Sequence, residues 1–296
     1  MLLGYFTTLV HYMILNTFFK ACLFSLAIVL AYACSDNGQE HMEDVECTYL
    51  HISHTRMYDN SSIDKEAEQV DYTYYDKLLL GGDMMNISSE SEETLDYLND
   101  LFEIAEPSTM WSLGNHDRTD VGLIENYTGR NNFYSYTDKG ITYLVLDTQQ
   151  DTSRIVGDQL QLVKSVLDTI AHSSHLVILT HHLVWMDDGG PLAEIADSIS
   201  NAPLSDCWYC INPNNFYADI YPRLVEVQSK GVQVLCIAGD IGNHVNSFEE
   251  QTADGVYFLA SGIFYDRPTN KGLVMQHNVT QQTLTWEFVP VADLGE

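Results

Sequence analysis

Trp111-Ser112-Leu113-Gly114-Asn115-His116-Asp117 is the stretch on which the reading of this chain turns. The apolar run 110–113 breaks at a glycine and is followed at once by an amide, an imidazole and a carboxylate. In α/β folds the carboxyl ends of the strands display the chemistry, so polar residues set directly behind an apolar run read as site residues on a sheet edge. Three further runs end in the same manner: 77–82 leads into Asp83, 175–180 into His181 and His182, and 232–239 into Asp240. Four such ends carrying Asp, Asn, His and Asp form one convergent set of oxygen and nitrogen donors, which suits a hard or borderline divalent cation.

The rest of the chain is punctuated in the same way. Residues 49–53, 141–147, 256–261 and 284–289 are short, β-rich and bounded by Gly, Asp or Asn, so they also read as strands. Helical patterns separate them. Ser89 with Glu92 offers a capping box ahead of Leu95, Leu98 and Phe102, and Asp158 caps a helix with an apolar face of Leu160, Val163, Leu167 and Ile170. Pro222 opens another helix that stops at Gly231, and Asp254-Gly255 is a turn into the late strands. The irregular stretch 185–216, rich in Asp, Gly, Pro and Ser, reads as a functional loop region beside the site. Its aromatics Trp185, Trp208, Tyr209, Phe216 and Tyr217 form either a substrate wall or the packing of the loop itself.

The amino terminus reads as an export signal. Lys20 precedes the apolar run 21–30, and Ala31-Tyr32-Ala33-Cys34-Ser35-Asp36 then places small residues at a cleavable point. The run is about half the ~20 residues that a spanning helix needs. The segment resembles a bacterial lipoprotein signal over residues 1–33, with Met13 as a candidate true start and Cys34 as the lipidated first residue of the mature chain. Residues 34–46 form an acidic tether, and one domain occupies 47–296, with 45% hydrophobic residues in the whole chain to build its core. The resemblance implies a protein exported and lipid-anchored to a bacterial membrane, periplasmic or at the cell surface. With 13 Lys plus Arg against 42 Asp plus Glu, the formal charge is −29, which repels a nucleic-acid backbone and suits a soluble acidic surface.

Past Cys34 the cysteines are Cys47, Cys207, Cys210 and Cys236. Cys207-Trp208-Tyr209-Cys210 is the only close pair: a disulfide loop or two free thiols, whereas a zinc knuckle needs a second ligand pair that the sequence lacks. Cys236 lies inside the run 232–238 and reads as a core thiol.

Taken in order, Gly82-Asp83, Gly114-Asn115-His116-Asp117, Thr180-His181-His182 and Gly239-Asp240 resemble the motifs of the calcineurin-like metallophosphoesterases. The resemblance spans residues 47–290 and implies an α/β four-layer sandwich of two mixed β-sheets flanked by helices. It also implies hydrolysis of a phosphomonoester or phosphodiester by a metal-bound hydroxide. In that likeness Asp83 is the carboxylate that bridges two metals, and Asn115 and His181 are ligands of the second, with His182 the lesser choice. His116 stands near the scissile phosphate and assists the leaving oxygen, and Asp117 orients its imidazole.

Two motifs depart from the family pattern. Where Asp-x-His is expected, the chain has His54-Thr55-Arg56; where Gly-His-x-His is expected, it has Gly239-Asp240-Ile241-Gly242. The second metal site therefore keeps Asp83, Asn115 and His181 and gains Asp240, while the first keeps only Asp83 and the substituted His54. Arg56 brings positive charge and a phosphate-binding fork to the place of a cation. His244 is a stand-in ligand or, more simply, a surface histidine. The expected cofactor is one firmly held divalent ion, Mn, Zn or Fe, with a weak or missing second. Two functions compete: a phosphoesterase acting on an unidentified phosphoester, and a degenerate surface lipoprotein that uses the fold for binding.

Overall fold

The computed structural model describes residues 44–187 and 189–295. The expected signal segment 1–33, the lipidation residue Cys34 and the tether through residue 43 lie outside the described residues. Eleven strands are described: β1 (Glu46–Ile52), β2 (Lys77–Leu80), β3 (Thr109–Trp111), β4 (Tyr134–Asp138), β5 (Ile141–Val145), β6 (His175–Thr180), β7 (Gln233–Ala238), β8 (Ser247–Gln251), β9 (Tyr257–Ser261), β10 (Lys271–Asn278) and β11 (Thr283–Pro290). The tether's last expected residue, Glu46, already belongs to β1, where it pairs with Asn278.

The strands form a five-stranded sheet in the order β11-β10-β1-β2-β3 and a six-stranded sheet in the order β4-β5-β6-β7-β9-β8. β1, β2 and β3 run parallel, as do β5, β6, β7 and β9. Strands buried on both faces read as unbroken apolar runs, which is why Leu78-Leu79-Leu80 and Leu176-Val177-Ile178-Leu179 stand out in the sequence. Alternate residues point to opposite sides of each sheet. Tyr49, Leu79, Met110 and Leu273 of one sheet and Tyr143, Val177, Leu235 and Leu259 of the other fill the layer between them. Leu50, Leu80 and Trp111 face outward onto helices α1 (Glu92–Phe102) and α2 (Val121–Thr128). Leu144, Ile178, Cys236 and Phe258 face outward onto α3 (Gly157–Thr169) and α4 (Tyr221–Ser229). Helix, sheet, sheet, helix is the four-layer sandwich. Truncating a side chain from its middle, as in Leu79→Ala, removes about 2–5 kcal/mol.

Several elements differ from the sequence reading. β4 and β8 are edge strands with mostly solvent-facing polar side chains, so they carry no apolar alternation. β10 is central yet ends in Gln276-His277-Asn278; Nδ1 of the buried His277 meets the Tyr49 hydroxyl at 2.8 Å, a partner 228 residues away. α1 is capped by Ser91, whose Oγ accepts from Thr94, while Ser89 instead donates to the Asp117 carbonyl. α3 begins after Val156 with no side-chain cap, and Asp158 sits in its first turn, where a negative charge meets the positive end of the helix dipole. Among the described residues no helix is long and apolar enough to cross a membrane.

Candidate metal centre

Because β1, β2, β3, β6 and β7 are parallel within their sheets, the residues behind each of them emerge at carboxyl edges, and the two edges touch. A methyl group on Gly239, behind β7, would meet the Gly81 carbonyl oxygen, behind β2, at 2.0 Å. Only glycine permits that approach, and it brings ligand candidates from the two sheets into one place. Three of them bend the backbone into the left-handed region that non-glycine residues rarely adopt: His54 at φ 57°, Asp83 at φ 56° and Asp240 at φ 27°. Such conformations persist where the surroundings hold them, and they gather at functional sites.

Asp83 lies at the centre. Its Oδ2 stands 3.7 Å from His54 Nε2 and 3.6 Å from Arg56 Nε, while its Oδ1 stands 3.7 Å from His181 Nε2 and accepts the His116 amide at 2.9 Å. The two oxygens thus face two different ligand sets. Asp240 Oδ1 lies 3.9 Å from the same His181 nitrogen, and its Oδ2 lies 3.8 Å from His182 Nε2. These separations are too long for hydrogen bonds. Two donors each about 2.0–2.2 Å from a shared cation lie roughly 3–4 Å apart, which is the spacing seen. His181 Nε2 and Asp240 Oδ2 are buried without any hydrogen-bond partner, a costly arrangement that a cation relieves.

The imidazoles are oriented for this role from behind. A carbonyl oxygen only accepts, so His54 donates Nδ1–H to Ile263 at 3.0 Å, His181 to Gly81 at 2.7 Å and His116 to Asn86 at 2.7 Å. Each Nε2 is left free, the arrangement that metal-binding histidines use. His182 is different: Nδ1 donates to Ser153 Oγ at 3.0 Å and Nε2 meets the Gln149 amide nitrogen at 2.7 Å, so both nitrogens are engaged. His181, His182 and Asp240 do stand close enough to group around an ion, yet His181 is the one with a nitrogen to spare.

Electrostatics agree with the geometry. Burial holds His54 neutral, with its pKa lowered to about 3, so its Nε2 lone pair is available. Burial would likewise lower His181, but Asp83 and Asp240 outweigh it and raise its affinity for a positive charge. Burial pushes the Asp240 carboxyl up to about 7, against the pull of His181. Burial also acts to raise Asp83, yet His181, His54 and His116 outweigh it and hold the carboxyl at about 2.

The expected residues do not all play the expected parts. His54, Arg56, Asp83, Asn115, His116 and Asp240 line one cleft of about 360 Å³, and the fully buried His181 lies behind Asp83. Asp117 does not touch the His116 imidazole, which the Asn86 carbonyl orients instead. It is buried and binds the amides of Asp83, Met84 and Gly114 and the Ser88 hydroxyl, tying the β2 and β3 ends together. His244 is exposed and outside the cluster. Cys207 and Cys210 form a disulfide, and Cys236 is a buried free thiol. Of the loop aromatics, Trp185 and Phe216 are buried against Phe258, whereas Trp208 and Tyr209 face the cleft. Sequence reasoning did not reach Gln149 and Ser153, although they follow the run 141–147 just as the other site residues follow theirs. The carbonyls of Gly81, Asn86 and Ile263 have no sequence signature.

No protein-family model matches the chain, and no curated protein matches its sequence. Solved structures do. A dimetal phosphatase from Danio rerio is 11% identical, with 83% of this chain and 96% of that one covered and a TM-score of 0.54. A phosphopantetheinyl hydrolase from Mycobacterium tuberculosis is 14% identical over 74% of this chain and 90% of its own, with a TM-score of 0.45. A 5'-nucleotidase precursor from Thermus thermophilus is 9% identical over 83% of this chain and 54% of its own, with a TM-score of 0.38. The first of these shows that the fold, two mixed sheets flanked by helices, is metallophosphoesterase-like.

Proposed function

We propose that this chain is a metal-dependent phosphoesterase, acting on a phosphomonoester or phosphodiester around one firmly held divalent ion, Mn, Zn or Fe. The observation that carries the reading is the pair of orphaned atoms, His181 Nε2 and Asp240 Oδ2, buried beside Asp83 at the base of a cleft. Asp83, Asn115, His181 and Asp240 would hold the ion. Bound there, a divalent cation acidifies a water and neutralises charge on phosphate oxygens.

The chain's own groups do the rest. Arg56, whose Nε is buried and unpaired by hydrogen bonds, directs a guanidinium at the phosphate from the side of Asp83 Oδ2. His116, fixed through Nδ1, leaves its Nε2 to serve the leaving oxygen. Asp117 keeps the Asp83 and Gly114 backbones in register, so that carboxylate and amide ligands stay in place before substrate arrives.

The ion pair of Arg56 with Asp83 also favours a second reading, a binding module in which the guanidinium fills the first metal site and turnover is lost. Metal content and hydrolysis of p-nitrophenyl phosphate and bis-p-nitrophenyl phosphate decide between them, measured on the wild type and on Asp83→Asn and His181→Ala. Turnover that disappears with the metal supports the enzyme. Phosphate binding without turnover supports the module, and neither metal nor phosphate binding defeats both.

We also propose export and lipid anchoring at Cys34. The Cys207–Cys210 disulfide supports an oxidising location.

A further inference from the structure

Trp208 and Tyr209 sit at the tip of the loop closed by the Cys207–Cys210 disulfide, 66% and 44% exposed, and both line the cleft that holds Asp83 and His116. A tryptophan left this open contributes nothing to the core. Trp185, 23 residues earlier in the same region, shows the alternative: it is fully buried, with its ring stacked on Phe258 at 5.0 Å.

The loop is held rather than hanging. Asn212 Nδ2 donates to the carbonyls of Cys207 at 2.7 Å and Cys210 at 3.0 Å, and Ser153 Oγ donates to the Cys210 carbonyl at 3.2 Å. That same Ser153 oxygen receives His182 Nδ1, so the aromatic loop is hydrogen-bonded to the residue next to the ligand candidate His181. Trp208 and Tyr209 pack edge to face with ring centroids 5.3 Å apart, and most of the Trp208 side chain stays open to the cleft side. Beside them in the cleft, the Asn201 Oδ1 accepts the Asn243 amide at 2.8 Å, and its Nδ2 end faces the Asp240 carboxyl. A flat apolar platform fixed beside a phosphate site is a receptor for a planar ring.

We infer that Trp208 and Tyr209 form a stacking subsite for the leaving group, and that the substrates of this site are phosphoesters whose leaving group carries a planar aromatic ring. The inference rests on the phosphoesterase reading and names its substrate class. Stacking orders the ring against the loop while the phosphate sits over Asp83, which places the ester oxygen toward His116.

Two matched pairs of probes test it on the metal-loaded full chain. Adenosine 5'-monophosphate and ribose 5-phosphate share the ribose 5-oxygen as leaving atom and differ at the anomeric carbon, which carries the base in one and a hydroxyl in the other; phenyl phosphate and glycerol 2-phosphate supply a second contrast. Trp208→Ala is expected to raise KM about tenfold for the ring-bearing member of a pair and to leave the ring-free member unchanged. Trp208→Phe, which keeps a π face, restores most of the preference. A binding readout runs alongside: adenosine 5'-monophosphate added to the slow His116→Ala variant, which is expected to keep its metal, quenches the part of the tryptophan emission that Trp208→Phe removes, and ribose 5-phosphate does not. Loss of Trp208 without any change in ring preference or in quenching overturns the subsite. If no probe is turned over by the wild type, the phosphoesterase reading fails, and quenching alone decides whether the ring platform exists.

Discussion

Arg56 places its Nε 3.6 Å from Oδ2 of Asp83, on the side of that carboxylate where His54 also points and away from His181. A fixed positive charge therefore faces one lobe of Asp83 while the other faces the orphaned nitrogen of His181. On the proposed reading the ion lies on the His181 side of Asp83, and Arg56 stands in for a second cation.

Replacing the guanidinium should restore the second ion. Arg56→His puts a neutral imidazole where a charge repels metal, beside His54, whose Nε2 is already free. Plasma mass spectrometry of manganese- or zinc-loaded protein should show the variant gaining one ion over the wild type. Equal metal content in the two would show that Arg56 does not control occupancy.

His116→Ala should lower kcat by about 10²–10⁴-fold, the usual share of a positioned acid. Metal content should move little, because the hydrogen bond from His116 to Asp83 comes from its backbone amide, which alanine retains. A loss of metal together with activity would assign His116 a structural part instead.

Asp117→Ala should act on stability first. It strips acceptors from the amides of Asp83, Met84 and Gly114, and each buried donor left unsatisfied costs about 1–3 kcal/mol. The denaturant midpoint should fall sharply for Asp117→Ala and less for Asp117→Asn, which keeps one acceptor oxygen, and metal affinity should fall in the same order. Unchanged midpoints would mean that the carboxylate does not tie the two strand ends.

Acid should unfold the protein through buried histidines that are not ligand candidates. Burial lowers His175 from 6.5 to about 4 and His51 from 6.5 to about 3. The unfolded chain binds these protons first, so the stability they contribute is complete above 6.5 and is lost as pH falls through that value toward about 4. Urea midpoints across this window should drop on acidification, and His175→Gln should flatten the slope by the share of one proton. A midpoint that rises with acidification would reverse the assignment.

The residues that line the centre were legible because parallel strands announce their ends. A run buried on both faces is apolar without interruption, so the first polar residue behind it marks a sheet edge; Asp83, Asn115, His181 and Asp240 were all found in this way. Strands lacking that contrast were not, since β4 and β8 lie at edges with wet faces and β10 hides polar residues behind partners from distant strands. Within the site, residue types were readable and their contacts were not: Asp117 follows His116 in sequence, yet its oxygens turn to backbone amides while Asn86 holds the imidazole.

The sequence by itself determined the layered α/β class, the strand ends that carry chemistry and the donor set that suits a divalent ion, because burial and backbone geometry constrain residue type locally. Only the tertiary structure decided that Asp83 offers its two oxygens to two ligand sets, that His182 is spent on Ser153 and Gln149, and that Trp208 opens onto the cleft while Trp185 does not. Those outcomes depend on the close approach of Gly81 and Gly239 across two sheets and on loops folded back over them. Such long-range distances leave no periodicity in the chain from which they could be read.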